Sequence, residues 1–160
     1  MTFLEKQTDP ESPMHWRGDM QADYLYTNGA AGGRFFTHLR DKGKFLACTC
    51  PECKKTYLPP RLYCEDCFCD IPDRAWKEVP LTGRIRLFTV AMLNPYGEKL
   101  KEPKVMALIQ IDRTDSLMIG VINTKNLDAD ITGRKVKAVL QPKSKREGTL
   151  KDIMYYNLLK

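Results

Sequence analysis

Cysteines are the residues of this chain most able to do chemistry, and they are concentrated in one short stretch. Four of the six cysteines form two Cys-x-x-Cys pairs: Cys50/Cys53 and Cys64/Cys67. Each pair can form a tight knuckle that directs two thiolates at one point. Two knuckles complete a tetrahedral shell of sulfur, the geometry that zinc adopts in structural sites. The spacing therefore predicts a four-cysteine zinc ribbon.

The predicted metal is structural, because four protein thiolates leave no open position for water or substrate. Sulfur ligation alone also suits iron in a rubredoxin-like electron-transfer site, which is the alternative metal. Two disulfides are the alternative without a metal, and they require an oxidising compartment. The first residues lack the basic and apolar segments of a signal peptide, so the expected compartment is the cytoplasm.

Two cysteines remain outside the knuckles. Cys48 and Cys69 each lie close to a knuckle on its outer side. They are expected to be buried, reduced bystanders, because a free cysteine behaves as a small apolar residue. Exchange of one of them with Cys50 or Cys67 as a ligand is the alternative.

Length and composition describe an ordinary globular chain. It has 160 residues, 42% of them hydrophobic and 29% charged, with a formal net charge of +6. That length allows one domain or two small ones. No apolar run approaches the ~20 residues that span a bilayer, so no membrane partner is expected. The positive charge suits nucleic acid, a phosphorylated cofactor, an acidic partner or simply a basic surface.

The predicted fold is mainly β. Residues 1–43 form an N-terminal arm and a short helix, 44–75 the zinc ribbon, and 76–160 a five-stranded OB-type barrel. The helix is predicted over Ala30–Asp41, with Phe35, Phe36 and Leu39 on one side. These side chains either pack on the ribbon or make this a docking helix for another chain.

The barrel strands follow from hydrophobic alternation between turns. The first strand is predicted to place Ile85, Leu87 and Ala91 on one face and Phe88, Val90 and Met92 on the other. Thr82-Gly83 is predicted as a turn, and one helical turn is predicted over Asn126–Asp130. The five predicted strands are Arg84–Leu93, Lys104–Asp112, Leu117–Ile122, a strand starting at Gly133, and Asp152–Leu159.

The barrel surface does not favour nucleic acid. Base-binding OB barrels stack bases on aromatic rings, but the second and third strands contain no Phe, Tyr or Trp. Their two-sided aliphatic pattern favours coverage by protein. The loop before the last strand carries Lys143, Lys145 and Arg146. These cations suit a diphosphate or 3′-phosphate at least as well as a nucleic-acid backbone, and the alternative is a solvated turn. No nucleophile–base pair or glycine-rich phosphate loop is present, so the chain is expected to support chemistry located elsewhere.

The chain resembles a family of small proteins that join a rubredoxin-like zinc ribbon to an acyl-CoA-associated OB-fold. The resemblance covers about residues 21–160. It rests on Tyr24-x-Tyr26-Thr27-x-Gly29, Arg34-Phe35-Phe36, Cys50-Pro51-x-Cys53, Tyr57-x-Pro59-Pro60-Arg61, Cys64-x-x-Cys67 and the strand led by Gly83. The sequence departs from the family pattern at Lys54 and Phe68, where glycine is usual, and at Glu65, where proline is usual.

The resemblance implies an accessory subunit of thiolase-superfamily enzymes. Relatives are partners of archaeal acetoacetyl-CoA thiolase with hydroxymethylglutaryl-CoA synthase, of side-chain aldolases in steroid breakdown, and of benzoylsuccinyl-CoA thiolase. The last is the most similar in organisation. The thiolase-like partner would carry the acyl chemistry, and this chain would shape the complex and help to position coenzyme A. By their charge, Lys143, Lys145 and Arg146 are the candidates for the phosphates of coenzyme A. The alternative function is a nucleic-acid-binding module, which the charge and fold favour and the missing aromatic platform opposes.

Overall fold

The computed structural model describes residues 26–94, 97–127 and 129–159. Its regular elements are one helix, three ribbon strands and five barrel strands, so the predicted mainly β fold class is confirmed. The N-terminal arm, residues 1–25, lies outside the described residues. The elements are α1 (Gly29–Lys42), β1 (Phe45–Thr49), β2 (Thr56–Tyr57), β3 (Trp76–Val79), β4 (Thr82–Leu93), β5 (Lys99–Ile111), β6 (Leu117–Asn123), β7 (Lys135–Leu140) and β8 (Ile153–Leu158).

Helix α1 lies within one residue of its predicted bounds and packs inside this chain. It ends at Gly43, whose positive φ lets its N–H reach the carbonyl of Leu39 at 2.9 Å. Phe35 and Leu39 are completely buried, and the Phe35 ring stacks against Phe45 of β1 with centroids 6.3 Å apart. The apolar side of α1 therefore packs on the ribbon and is not available to another chain.

The barrel has the strand order of an OB-fold. Its closed order is β4-β5-β6-β8-β7, with β7 returning to β4. Strand β8 runs parallel to β6 and antiparallel to β7, so the last strand inserts between its predecessors. All five predicted strands are present. Strand β5 begins five residues earlier than predicted, because its hairpin with β4 extends past the barrel until Leu93 pairs with Lys99.

A β-bulge changes the faces predicted for the first barrel strand. Ile85 pairs with Ile109, but Leu87 pairs with Leu108, so Arg86 is an extra residue in the ladder. Ile85 consequently points into the core while Leu87 points out, and the prediction that they share a face is wrong. The alternation rule failed here because an inserted residue restarts the period of two.

Two further local predictions are wrong. Thr82 and Gly83 are not a turn but the start of β4, where Gly83 pairs with both Ile111 and Val136 at the closing seam. A Cβ at Gly83 would lie 2.4 Å from the backbone oxygen of Gln110, so this glycine permits a close approach of strands. The described residues between Asn126 and Asp130 form bends without a helical turn.

One apolar cluster joins the helix, the ribbon and the barrel. It includes Phe35 and Leu39 of α1, Phe45 of β1, and inward-facing residues of the barrel such as Ile109 and Val136. A second, smaller cluster surrounds the cysteines. No helix within the described parts of the chain is long and apolar enough to cross a membrane.

Gly120 of β6 provides a test of barrel packing. A Cβ at this position would lie 2.4 Å from a ring carbon of Tyr156, which is buried against it. We expect Gly120→Ala to lower the free energy of unfolding by about 1–3 kcal/mol through overpacking. Gly33→Ala is the matched control, because its Cβ meets nothing within 4 Å on α1 and should stabilise by about 0.5–1 kcal/mol. Equal effects of the two substitutions in denaturant titrations would contradict this packing.

Candidate metal centre

The first knuckle is a turn closed by two backbone hydrogen bonds. Strand β1 ends at Thr49 and delivers Cys50 directly into the site. The N–H of Cys50 donates to the carbonyl of Lys55 at 2.8 Å, and the N–H of Lys54 donates to the carbonyl of Cys50 at 3.2 Å. These bonds hold Cys50 and Cys53 on the same side of the turn.

The second knuckle repeats the first in hydrogen bonding. The N–H of Cys64 donates to the carbonyl of Cys69 at 3.0 Å, and the N–H of Phe68 donates to the carbonyl of Cys64 at 3.0 Å. A bridge between Tyr63 and Asp70 closes its base. The two knuckles therefore offer the same backbone geometry, which is what a four-coordinate metal requires of two facing pairs.

The structure brings together the four cysteines that the spacing indicated. The sulfur atoms of Cys50, Cys53, Cys64 and Cys67 all lie within 4.8 Å of one another. Zinc–sulfur bonds of about 2.3 Å in a tetrahedron place the sulfurs about 3.8 Å apart. The Cys53 and Cys64 sulfurs are 3.6 Å apart, and all six cysteines of the chain are free thiols. These four residues are positioned to bind a metal ion.

Cys48 and Cys69 have separate roles at the edge of this site. Cys48 is completely buried, and its sulfur accepts the N–H of Arg61 at 3.1 Å. The Cys69 sulfur lies 3.4 Å from that of Cys50. Burial raises the pKa of both thiols, that of Cys69 to about 11 with a further contribution from Cys50. Both are protonated near neutral pH, so Cys69 can donate its S–H to the Cys50 thiolate.

Tyr57 is the functional residue that sequence reasoning missed. Its hydroxyl lies 3.2 Å from the Cys64 sulfur and 3.4 Å from a carboxylate oxygen of Asp66, which pairs with Lys55 at 2.5 Å. The hydroxyl's hydrogen bond is the largest cause that lowers the pKa of Cys64 to about 6. Only its place in the Tyr-x-Pro-Pro-Arg motif could have indicated it, since the contact depends on how β2 folds over the second knuckle.

Lys54 and Phe68 occupy the equivalent position in the two knuckles, directly after the second cysteine of each pair. Their φ angles are +65° and +56°, in the left-handed region that favours glycine. The sequence departs from the related pattern at these same two positions. The knuckle geometry is therefore kept at the cost of backbone strain at both residues.

The basic loop lies apart from the metal centre. Lys143 and Lys145 belong to a short 3-10 turn and are exposed. Arg146 instead donates to the carbonyl of Gln141 at 2.7 Å, and its guanidinium lies against Gly43 at the end of α1. The buried carboxylate of Asp152 accepts two backbone N–H groups of the same loop and fixes its path. The structure thus leaves two of the three predicted cations free to face a ligand.

Sequence reasoning also missed a cluster of arginines on the barrel. Arg84 and Arg86 on β4 and Arg113 just after β5 border a recess of about 190 Å³. Alternation places Arg84 and Arg86 on one face of β4, but no sequence pattern indicated that the chain after β5 brings Arg113 beside them.

The fold and site together define a four-cysteine ribbon joined to an OB-type barrel. The sequence matches no protein-family model, and no curated protein matches it significantly. Among solved structures, the chain is similar to a protein of unknown function from the DUF35 family of Sulfolobus solfataricus. They share 22% identity with a TM-score of 0.58, covering 81% of this chain and 84% of that chain.

A second similar structure is described as an "Ltp2-ChsH2(DUF35) aldolase". The identity is 17% and the TM-score 0.53, with 79% of this chain and 91% of that chain covered. At these identities the comparison establishes the shared fold. This chain therefore has the architecture of DUF35 proteins, with a cysteine cluster positioned for a metal.

Removing the Tyr57 hydroxyl should weaken metal binding. Tyr57→Phe keeps the buried ring but removes the donor to Cys64, and loss of such outer contacts typically costs 10–100-fold in affinity. We expect about tenfold weaker zinc affinity, measured by equilibrium competition with a chelator. The cobalt(II)-loaded protein should also show a shifted thiolate-to-metal absorption band. Tyr63→Phe, an exposed tyrosine in the same ribbon, is the control. Equal metal retention in the two variants would contradict the hydrogen bond's role.

Relieving the strain in the knuckles should stabilise the protein. Lys54→Gly and Phe68→Gly each remove a side chain from a left-handed backbone conformation that costs about 1–2 kcal/mol. Because glycine also loses more entropy on folding, the expected gain is about 0.5–1 kcal/mol each. Unfolding of the metal-loaded protein measures the effect. Glu52→Gly, in the same knuckle without a positive φ, should destabilise, and a gain there would refute the strain argument.

Proposed function

We propose that this chain is a non-catalytic, zinc-binding accessory subunit of a thiolase-superfamily acyl-CoA enzyme complex. The observation that carries the proposal is the closed set of four thiols beside a barrel of the DUF35 fold. A four-thiolate centre has no position for a substrate, so the chain's most reactive groups are committed to structure. One neighbour of the same fold is described as part of an aldolase with another component, Ltp2.

Zinc is the metal that suits this donor set in a structural role. Bound zinc would hold the two knuckles together and add about 10–16 kcal/mol to folding of the ribbon. The ribbon residues that would hold it are the four cysteines of the two pairs. The chain's own contribution is the scaffold: β1 links the first knuckle to the core through Phe45 and Ala47.

Coenzyme A is the ligand of the assembled complex in this proposal. Lys143 and Lys145 are exposed on a loop whose path Asp152 fixes. Two cations on an ordered turn suit the phosphates of coenzyme A by charge. The reactive cysteine and the acyl chemistry belong to the thiolase-like partner. The resemblance in sequence favours benzoylsuccinyl-CoA thiolase as the particular complex.

Purification of the tagged chain from its own host tests the proposal. We expect a thiolase-like chain to co-purify in a fixed ratio, identified by mass, and the complex to be colourless with one zinc per copy of this chain. Recovery of the chain alone, or with single-stranded nucleic acid bound in a strongly salt-dependent manner, would refute the accessory role. A red, iron-containing protein would contradict structural zinc and support an iron site for electron transfer.

Binding of coenzyme A is measured on the same complex. Replacing Lys143 and Lys145 by alanine should weaken coenzyme A binding if these cations meet its phosphates. Lys77→Ala with Lys125→Ala, two exposed lysines outside this loop, is the control. Unchanged affinity in the loop variant would remove coenzyme A contact from this chain while leaving the accessory role in place.

A further inference from the structure

We propose that the outer face of β4, β5 and β6 docks the catalytic partner, and that the matching partner surface is apolar and bordered by carboxylates at one end. The inference rests on the proposed function and adds to it the surface and its chemistry. Two adjoining features define this docking face: an aliphatic strip and the arginine recess described above.

The aliphatic strip crosses three strands in register. Leu87 pairs with Leu108, and Leu108 pairs with Ile119, so their outward side chains form a continuous row. Leu87 and Ile119 are 62% and 70% exposed, and Leu117 beside them is 48% exposed. Met106 and Leu108 line the floor of a groove of about 380 Å³ between them. The strip is a contiguous apolar surface and not a set of scattered side chains.

The barrel does not use this strip for its own stability. The inward side chains of the same strands, such as Ile85, Ala107 and Ile109, already fill the core. Contiguous apolar surface of this kind on a soluble protein typically marks an interaction site. The three strands under the strip pair with one another, so a partner that covers the strip meets its side chains face on.

The arginine recess continues the strip at one end. Gln110 follows Leu108 on the outward side of β5, and its side-chain oxygen accepts two bonds from Arg86, at 2.8 and 2.5 Å. Arg84 reaches only the carbonyl of Gly133, at 3.3 Å. Asp112 also borders the recess, but its carboxylate accepts the Thr82 hydroxyl at 2.5 Å. Among the described residues, no carboxylate pairs with any of the three arginines.

The charge of this recess indicates the charge of the partner surface that would cover it. Three guanidinium groups that form no ion pair within the described chain favour a surface that supplies Asp or Glu side chains. A second copy of this chain does not supply a strongly acidic surface here. At the far end of the strip, the β4–β5 hairpin carries Lys99, Lys101 and Lys104 against Glu98 and Glu102. Self-association would place the arginines on surfaces that are basic or nearly neutral.

The aliphatic strip is tested with Leu87→Glu combined with Ile119→Glu. Both side chains are exposed, so the barrel should still fold and keep its metal. The thiolase-like chain obtained by co-purification is the probe, and binding is measured by calorimetry with the separated components. We expect at least about 30-fold weaker binding, because central apolar anchors dominate interfaces. Leu62→Glu with Leu150→Glu, two exposed leucines outside the face, should change binding less than threefold.

The recess is tested by reversing the charge of all three arginines to Glu. We expect about tenfold slower association with the same partner at low salt and a weaker dependence on salt, since border charges act mainly on the rate of encounter. The control reverses Arg74, Lys77 and Lys151, which makes the same change in net charge elsewhere on the surface. A slower rate in both triple variants alike would show steering by net charge and overturn the assignment to the recess.

The outcomes separate this inference from the proposed function. A thiolase-like partner that binds the strip variant and the wild type equally well overturns the docking face and leaves the accessory role standing. Absence of such a partner overturns the accessory role and the inference with it. Wild-type self-association that is lost in Leu87→Glu/Ile119→Glu, measured by sedimentation, would assign the face to a second copy and overturn the choice of partner.

Discussion

Convergence of four cysteine sulfurs is the constraint on which the ribbon depends. The buried residues around the site are Cys48, Cys50, Tyr57, Cys64 and Ile71, a cluster too small to order this segment by hydrophobic burial. A bound metal would replace the missing apolar area with four bonds, and its binding would then be inseparable from folding. The hydrogen bonds of each knuckle also help to order the ribbon, because they fix the directions in which the sulfur atoms point.

Strand β1 connects the metal site to the rest of the molecule. Its side chains Phe45 and Ala47 belong to the main core, while the residue that follows the strand is Cys50. Strand β3 pairs with β1 along Phe45–Cys48 and then leads into the barrel after Val79. The metal site is therefore attached to the barrel by hydrogen-bonded backbone on one side and by packed side chains on the other. A ligand lost at the knuckles would loosen β1 and the contacts of α1 with it.

Local patterns predicted those parts of the structure that local forces determine. The cysteine spacing identified the ligands because a Cys-x-x-Cys turn needs only its own backbone, and alternation located all five barrel strands. The helix lies within one residue of its predicted bounds, and its end is set locally by Gly43. Two of the incorrect predictions concern closure of the barrel, because the bulge at Arg86 and the seam at Gly83 depend on strands distant in sequence. The role of Tyr57 was not predicted for the same reason, because Tyr57 lies on β2 and its partner Cys64 lies on the second knuckle.

The same long-range closure also explains the character of the exposed surface. The strands under the aliphatic strip pair with one another, so this face presents side chains to its surroundings. The bulge matters here because it turns Leu87 outward into the aliphatic strip, on the same side of the barrel as Arg84 and Arg86. Without the inserted residue, Leu87 would share the inward face with Ile85, and the strip would lose its most exposed member on β4. One irregularity in a ladder therefore converts a core strand into a surface with both apolar and cationic parts. Because four cysteine ligands would leave no open position on a bound metal, we propose that this surface is where the chain meets other molecules.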